Sequence, residues 1–187
     1  MKKFSFFLMM FTALSLGFVS CDKDDDDDDN SNSGTPTFAD LYKHLGRTDI
    51  DVLISEFTKK GYPLEWDEDY LYYHTRTDGY EFKVEDGTVV KAEYGCLLTK
   101  DFLFSKFDEE KKFRSQSGLV EYRGGYYIEG EGESNYSSKD ELRSALKNIN
   151  LSDILEGWSV SYYSDVRTDI DLWGSSMSYS VKLPSYY

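Results

Sequence analysis

Alternation of apolar and polar residues constrains the fold of this chain more than any other feature. The segments 70–75, 80–84 and 89–94 each alternate with a period of two, the repeat of a half-buried β-strand. Asp-Gly pairs at 78–79 and 86–87 separate these segments. Because Asp-Gly between two alternating runs is a strong hairpin signal, the sequence predicts a three-stranded antiparallel meander.

Helical periodicity precedes this meander. Ile50, Leu53 and Phe57 recur at spacings of three and four, which places them on one helical face. The pattern predicts a helix at about 49–60 and a shorter one at about 38–45.

The second half of the chain repeats these patterns less evenly, and residues 97–117 fit either a strand or a helical turn. The remaining predicted elements are a strand at 118–123, a turn at Gly124-Gly125 into a strand at 126–129, a helix from Ser138 to about 149, a strand at 157–164, a polar loop at 165–174 and a strand at 175–183.

The predicted architecture is α+β, with helices packed on an antiparallel meander sheet. A helix followed by strands occurs at 49–94 and again at 139–183, so the pattern also admits two similar halves. Residues 37–187 have the length expected of a single globular domain.

The first 36 residues have a different composition. Lys2 and Lys3 precede an apolar run from Phe4 to Val19, which is shorter than the roughly 20 residues that a membrane-spanning helix requires. Its position predicts a signal peptide over residues 1–20. Residues 21–36 consist of a cysteine followed mostly by Asp, Asn, Ser and Gly, and we expect them to form a disordered acidic leash because like charges repel.

Residues 18–20, before Cys21, resemble the lipobox of bacterial lipoproteins, and residues 23–25 resemble the lysine-plus-acids export tag of Bacteroidetes-type surface lipoproteins. The resemblance covers residues 1–30. It implies lipidation (palmitate) at Cys21 and a lipid-anchored position on the cell-surface side of the outer membrane. The alternative is a periplasm-facing position at the inner membrane, because Asp22 resembles the retention signal of enteric-type lipoproteins.

The net charge of −14 limits the partners of this chain. A negative field repels phosphates and anionic headgroups, so we expect no nucleic acid and no membrane contact apart from the lipid anchor at Cys21. The aspartate run does not place Gly and Glu at the sixth and twelfth positions of an EF-hand loop. The sequence predicts no metal site and no cofactor.

Catalytic patterns are weak in this sequence. His44 and His74 have no second histidine or cysteine at metal-ligand spacing, and no G-x-S-x-G motif occurs. Acidic residues cluster around Trp66 and at 129–133 in positions typical of solvated strand ends, so a glycoside hydrolase is the less favoured interpretation. We expect no enzyme and no catalytic residue.

Aromatic residues are the one compositional excess, with 16 Tyr, 12 Phe and 3 Trp. Most suit the half-buried face of a sheet, but the alternation near residue 72 places aromatics on both faces. We therefore hypothesise an exposed aromatic platform for a ligand, since exposed aromatics are enriched at recognition surfaces. Its candidate residues are Trp66, Tyr70, Tyr72, Tyr80, Tyr127, Tyr162 and Trp173.

These features together predict a surface-anchored lipoprotein that acts as a non-enzymatic binding or envelope-interaction module for glycans or peptides. The alternative is an envelope structural or inhibitor-like protein that binds another protein through an edge strand. The sequence leaves the ligand and the oligomeric state open.

Overall fold

A computed structural model describes part of the chain: residues 34–117, 121–129, 143–144, 147 and 158–184. The predicted signal peptide and the leash up to residue 33 lie outside the described residues. By their contacts, residues 35–187 form one compact unit.

The helices and strands of the described residues follow one another in a simple order. They are α1 (Phe38–Tyr42), α2 (Ile50–Lys59), β1 (Glu65–Asp67), β2 (Tyr70–His74), β3 (Asp78–Glu85), β4 (Thr88–Leu97), α3 (Lys100–Ser117), β5 (Glu121–Glu129), β6 (Trp158–Ser164), β7 (Arg167–Trp173) and β8 (Ser176–Lys182). Residues 143, 144 and 147 are also helical and fall within the helix predicted from Ser138, the rest of which lies outside the described residues.

The strands form one antiparallel sheet in the order β1-β2-β3-β4-β8-β7-β6-β5. Consecutive strands are neighbours within β1–β4 and within β5–β8, and β4 pairs with β8. Helices together with an antiparallel sheet confirm the predicted α+β class. The hairpin at Asp86-Gly87 is also confirmed, since both residues have the positive φ angles (49° and 73°) that a tight two-residue turn requires.

The turn predicted at Asp78-Gly79 is wrong, because both residues lie inside β3. The connection is made just before them, where the Thr75 hydroxyl accepts hydrogen bonds from the amides of Thr77 (3.2 Å) and Asp78 (3.1 Å). Gly79 is required for space: a Cβ there would lie 2.3 Å from Cδ2 of His74.

Two further turn and loop predictions are also wrong. Gly124-Gly125 lies within β5, at a shift in register between β5 and β6. Arg123 pairs with Tyr163 and Tyr127 pairs with Ser161, so β5 has more residues than β6 between these two pairs. Glycine therefore marks a bulge here and not a hairpin turn. The predicted polar loop at 165–174 contains β7, because its charged residues alternate with Thr168, Ile170 and Leu172.

The helices pack on one face of the sheet. Every second residue of the central strands points to this face and is buried, for example Phe82, Val181 and Ile170, which are at most 2% exposed. The largest fully buried side chains of the helices are Phe38, Leu41, Leu53, Leu103 and Phe107. Burial of each such side chain contributes roughly 1.5–3 kcal/mol, so this layer is the main source of stability.

The ambiguous segment 97–117 forms α3, which carries two buried charges on its inner side. Glu110 (3% exposed) pairs with Arg114 and accepts a hydrogen bond of 2.9 Å from the Thr168 hydroxyl. Lys106 (3% exposed) donates to the carbonyl oxygen of Pro36 at 3.0 Å. These partners compensate for the desolvation of both charges. The same two charged residues interrupt the apolar pattern by which a helix is recognised in the sequence.

Candidate functional site

The face of the sheet opposite the helices is polar, and we call it the polar face. Because directly paired residues of neighbouring strands share a face, the register defines rows of side chains that cross the sheet. The basic row is Tyr70, Lys83, Lys91, Lys182 and Arg167. The acidic row is Tyr72, Glu81, Glu93, Ser180, Asp169 and Ser161.

A third row, made mostly of small residues, follows the acidic row. It runs from His74 through Gly79, Gly95, Ser178 and Asp171 to Ser159. Glycine and serine fill little volume, so we expect this row to lie lower than the charged rows beside it. Asp171 is its one acidic residue among those six positions.

Lys91 organises one part of the polar face. Its ammonium group contacts the carboxylate of Glu81 at 3.3 Å and also that of Glu93. Burial alone would lower the pKa of Lys91, but the charges of Glu93 and Glu81 outweigh it and raise that pKa. Burial and the negative charge of Glu93 in turn raise the pKa of Glu81. The ion pairs therefore fix three long side chains in position.

Asp169 organises the neighbouring part. Its carboxylate contacts the Arg167 guanidinium at 2.7 Å and the Lys182 ammonium at 3.1 Å, and it accepts a hydrogen bond from the Ser161 hydroxyl. Asp169 is only 3% exposed, so these contacts compensate for its desolvation.

Asp171 has a different environment on the same strand. Its carboxylate accepts a hydrogen bond from the Ser159 hydroxyl. Burial raises its pKa to about 6, and the negative charges of Glu93 and Asp169 act in the same direction. Asp171 is thus a carboxyl group that titrates close to neutral pH.

Three of the seven predicted platform residues occupy polar-face positions. Tyr70 and Tyr72 begin the basic and acidic rows and are half-buried. Trp173 lies two residues beyond Asp171 and is 51% exposed. Tyr127 has Ser161 as its register partner on β6.

Three further residues do not share this face, which corrects the hypothesis of one continuous platform. Tyr80 (9% exposed) and Tyr162 (7% exposed) lie in the core. The Arg114 guanidinium lies 3.3 Å from the Tyr162 ring centre, and the Phe57 ring lies 4.9 Å from that of Tyr80. Trp66 is 52% exposed, but it pairs with Leu71 and so belongs to the helix side of the sheet. A period of two does not reveal which face the helices cover.

Sequence reasoning missed the charged residues that dominate this face. Asp169 and Asp171 were assigned to a loop, although they alternate with Thr168, Ile170 and Leu172. That alternation was the signal that could have found them. The pairing of Lys91 with Glu81 depends on the register shift between Lys83 and Val84, which the Asp86-Gly87 turn does not specify.

We also considered a small cavity, possible metal-binding groups and possible membrane-spanning helices among the described residues. A cavity beneath α3, lined by Phe107, Glu110 and Val160 among others, has a volume of about 10 Å³, room for roughly one water molecule. Within the described ranges, no three His, Cys, Asp or Glu side chains are grouped so that they could hold a metal ion. No helix in this part of the chain has the length and apolar character needed to cross a membrane.

Comparison with protein-family models, curated proteins and solved structures found no match for this chain.

Proposed function

We propose that this protein is a lipid-anchored surface lipoprotein with a non-enzymatic binding function, and that its ligand, a glycan or a peptide, contacts the polar face. The observation that carries the proposal is the division of the sheet into two unlike faces. The described helices pack on one face, whereas the other presents Tyr70 and Tyr72 beside rows of charged side chains. Aromatic rings flanked by fixed polar groups are typical of recognition surfaces.

The charged rows support binding because they are held in place before any ligand arrives. Lys91 is fixed by two carboxylates, and Asp169 by two cations and a hydroxyl group. Preorganised side chains lose little conformational entropy on binding, which favours affinity and specificity.

The point where the chain enters the domain also supports this proposal. The carbonyl oxygen of Pro36 accepts hydrogen bonds from Lys106 on α3 and from Tyr179, whose side chain lies in the core. These contacts place Pro36 on the helix side of the sheet, so this residue does not occupy the polar face.

The rival function, recognition of another protein through an edge strand, is less favoured by the described edges. β1 has only three residues, and two of them are acidic. β5, at the other edge, has shifts in register. Short, charged and bulged edge strands resist pairing with a further strand, so we propose that a protein partner would also use the polar face.

We further infer that the domain consists of two similar halves, divided by the strand order into β1–β4 and β5–β8; β5 precedes the second half predicted from the sequence, at 139–183. β1–β4 and β5–β8 each form a run of four neighbouring strands, and the last strands of the two runs pair with each other. This arrangement supports an origin by duplication, with the polar face shared between the halves.

The binding function can be tested with two variants that remove aromatic rings from opposite faces. Tyr70→Ala/Tyr72→Ala alters the polar face, and Trp66→Ala removes an exposed ring from the helix side. A glycan array and pull-downs from envelope extracts should show a ligand of the wild type that is lost in the double variant and retained by Trp66→Ala. Retention of every interaction by the double variant would contradict the proposal.

The lipid anchor requires a separate test. Cys21→Ser removes the thiol that lipidation requires, so we expect the variant to be released or mislocalised. Membrane fractionation measures this directly, and surface proteolysis of intact cells distinguishes the outer surface from the periplasm-facing alternative. Unchanged fractionation of Cys21→Ser would refute the anchor.

A further inference from the structure

Among the described residues, Asp171 differs from the other central carboxylates of the polar face in having no paired cation. Glu81 and Glu93 pair with Lys91, and Asp169 pairs with Arg167 and Lys182. Within the part of the chain that the structure describes, Asp171 contacts only the Ser159 hydroxyl as a polar partner. Lys91 attracts Asp171 from a distance, but its ammonium group is already bound by two carboxylates.

Exposed apolar side chains lie beside this carboxylate. Leu97, Ser176 and Trp173 form a row across β4, β8 and β7, adjacent to the row that contains Asp171. Trp173 is 51% exposed and Leu97 is 45% exposed. From strand geometry, these two residues are about 10 Å apart, and Asp171 lies about 7 Å along β7 from Trp173.

A buried hydroxyl group without a hydrogen-bond partner among the described residues occurs on the same face. Ser180 is 1% exposed, and its hydroxyl has no hydrogen-bond partner among the described residues. It lies two residues along β8 from Ser178, which pairs directly with Asp171. Buried polar groups normally have partners, so this region has polar bonding capacity that the described chain does not use.

We propose that the end of the polar face around Asp171, Trp173 and Leu97 is a docking site for a basic segment of a partner protein. A lysine or arginine side chain of the partner would place its cationic head on the Asp171 carboxylate. Its aliphatic stem would lie across the Trp173 ring, and an adjoining residue of the segment would cover Leu97. This inference rests on the proposed binding function and names the class of ligand.

Charge favours a basic occupant over an acidic one. The chain has a net charge of −14, and the cations of the basic row are engaged by carboxylates of the protein itself. An anionic partner would meet both an unfavourable field and an uncompensated carboxylate. A basic side chain would instead gain a charge-assisted hydrogen bond with Asp171, and its aliphatic stem would gain apolar contact with the Trp173 ring.

The environment of Asp171 also indicates that this residue does not serve to stabilise the folded protein. A partly buried carboxylate without a cation destabilises a folded protein, and an asparagine could keep the hydrogen bond with Ser159 without the charge. Residues that lower stability without an internal compensation are typical of binding sites.

The test uses the full chain in detergent and two synthetic probes, acetyl-(Arg-Gly)₄-amide and acetyl-(Glu-Gly)₄-amide, in 150 mM salt at pH 7.5. Calorimetric titration should show binding of the arginine peptide and none of the glutamate peptide. Asp171→Asn and Trp173→Ala should each weaken that binding by about fivefold or more. Asp51→Asn removes one charge from the exposed surface of α2 and should bind as the wild type does. The acidic leash is the same in every variant, so its attraction for the arginine peptide adds the same background to each titration.

Equal affinity of Asp171→Asn and wild type for the arginine peptide would overturn the docking site, and so would the absence of any binding. Circular dichroism of Asp171→Asn confirms that a weaker affinity does not come from unfolding. A further probe, maltohexaose, separates this inference from the broader proposal. Binding of maltohexaose that Tyr70→Ala/Tyr72→Ala abolishes, without binding of the arginine peptide, would refute the docking site and leave the proposed function standing.

Discussion

The hydroxyl of Tyr179 donates a hydrogen bond to the carbonyl oxygen of Pro36, although 143 positions separate the two residues in the chain. The Lys106 ammonium group donates to the same oxygen at 3.0 Å and lies 4.3 Å from the centre of the Tyr179 ring. Glu109 completes the arrangement by accepting a hydrogen bond of 2.7 Å from the amide of Phe38. A strand of the sheet and a helix thus jointly hold the segment through which the chain enters the domain.

Tyr179→Phe should lower the free energy of unfolding by about 1 kcal/mol, because a buried hydrogen bond is lost while Lys106 still satisfies the Pro36 oxygen. Urea denaturation at pH 7 measures the change. Tyr72→Phe, which removes a hydroxyl from a half-buried tyrosine of the polar face, is the matched control and should have little effect. Equal stability of the two variants would show that the bond to Pro36 contributes nothing.

Gly79→Ala should destabilise the domain by roughly 2–4 kcal/mol, because the new Cβ would lie 2.3 Å from the His74 ring and 2.6 Å from the Tyr73 carbonyl oxygen. Adding His74→Ala removes only the first of these clashes. We therefore expect the double variant to recover part of the loss in urea denaturation. Gly34→Ala, at a position with no atom within 4 Å of the added Cβ, should cost much less.

His44 should make the domain less stable as the pH falls. Burial lowers its pKa in the folded protein to about 4, and the charges of Arg47 and Lys60 act in the same direction. Between about pH 6.5 and 4 the unfolded chain binds a proton that the folded protein does not, so this group contributes a loss of up to about 3 kcal/mol.

His44→Phe should remove this contribution, since its ring can keep the contacts with Phe57 and Phe82. The difference in unfolding free energy between variant and wild type, measured at pH 7 and pH 4.5, isolates the effect. A difference that stays constant with pH would contradict the assignment.

Asp171 should have the opposite effect to His44, because it makes the wild type less stable as the pH rises; Asp171→Asn should remove this effect. The folded-state pKa of Asp171 is about 6, above its ordinary value of 3.8, so the folded protein binds the extra proton between these two values. Stability from this group is present below about pH 4 and is lost as the pH rises through 6. We expect the variant to be about 1–3 kcal/mol more stable than the wild type at pH 7.5 and nearly equal to it at pH 4. A variant less stable than the wild type at pH 7.5 would refute this interpretation of Asp171.

Sequence patterns predicted those elements whose apolar period is unbroken. α2 was recognised because Leu53 and Phe57 follow a regular spacing, and β8 because Met177, Tyr179 and Val181 alternate with polar residues. The turn at Asp86-Gly87 was found because its backbone requires positive φ angles. In each of these cases local chemistry agrees with the tertiary environment.

Elements that bury charge were not predicted, for physical reasons. In α3, Lys106 and Glu110 occupy inner positions whose partners come from elsewhere in the chain. In β7, Asp169 is buried because Arg167 and Lys182 neutralise it across the sheet. Such compensation depends on register, so the polar face, and with it the candidate site, emerged only from the three-dimensional arrangement.

The pairing of β4 with β8 also determines when this domain can finish folding. The pairing extends from Leu97 with Ser176 to Lys91 with Lys182. Its contacts are non-local, because forming them closes a long loop of chain between β4 and β8. β8 also carries Tyr179, which holds Pro36. The backbone at Pro36 therefore cannot be held by Tyr179 until β8 has joined the sheet. Fixing of the segment before α1 and completion of the sheet become a single late event.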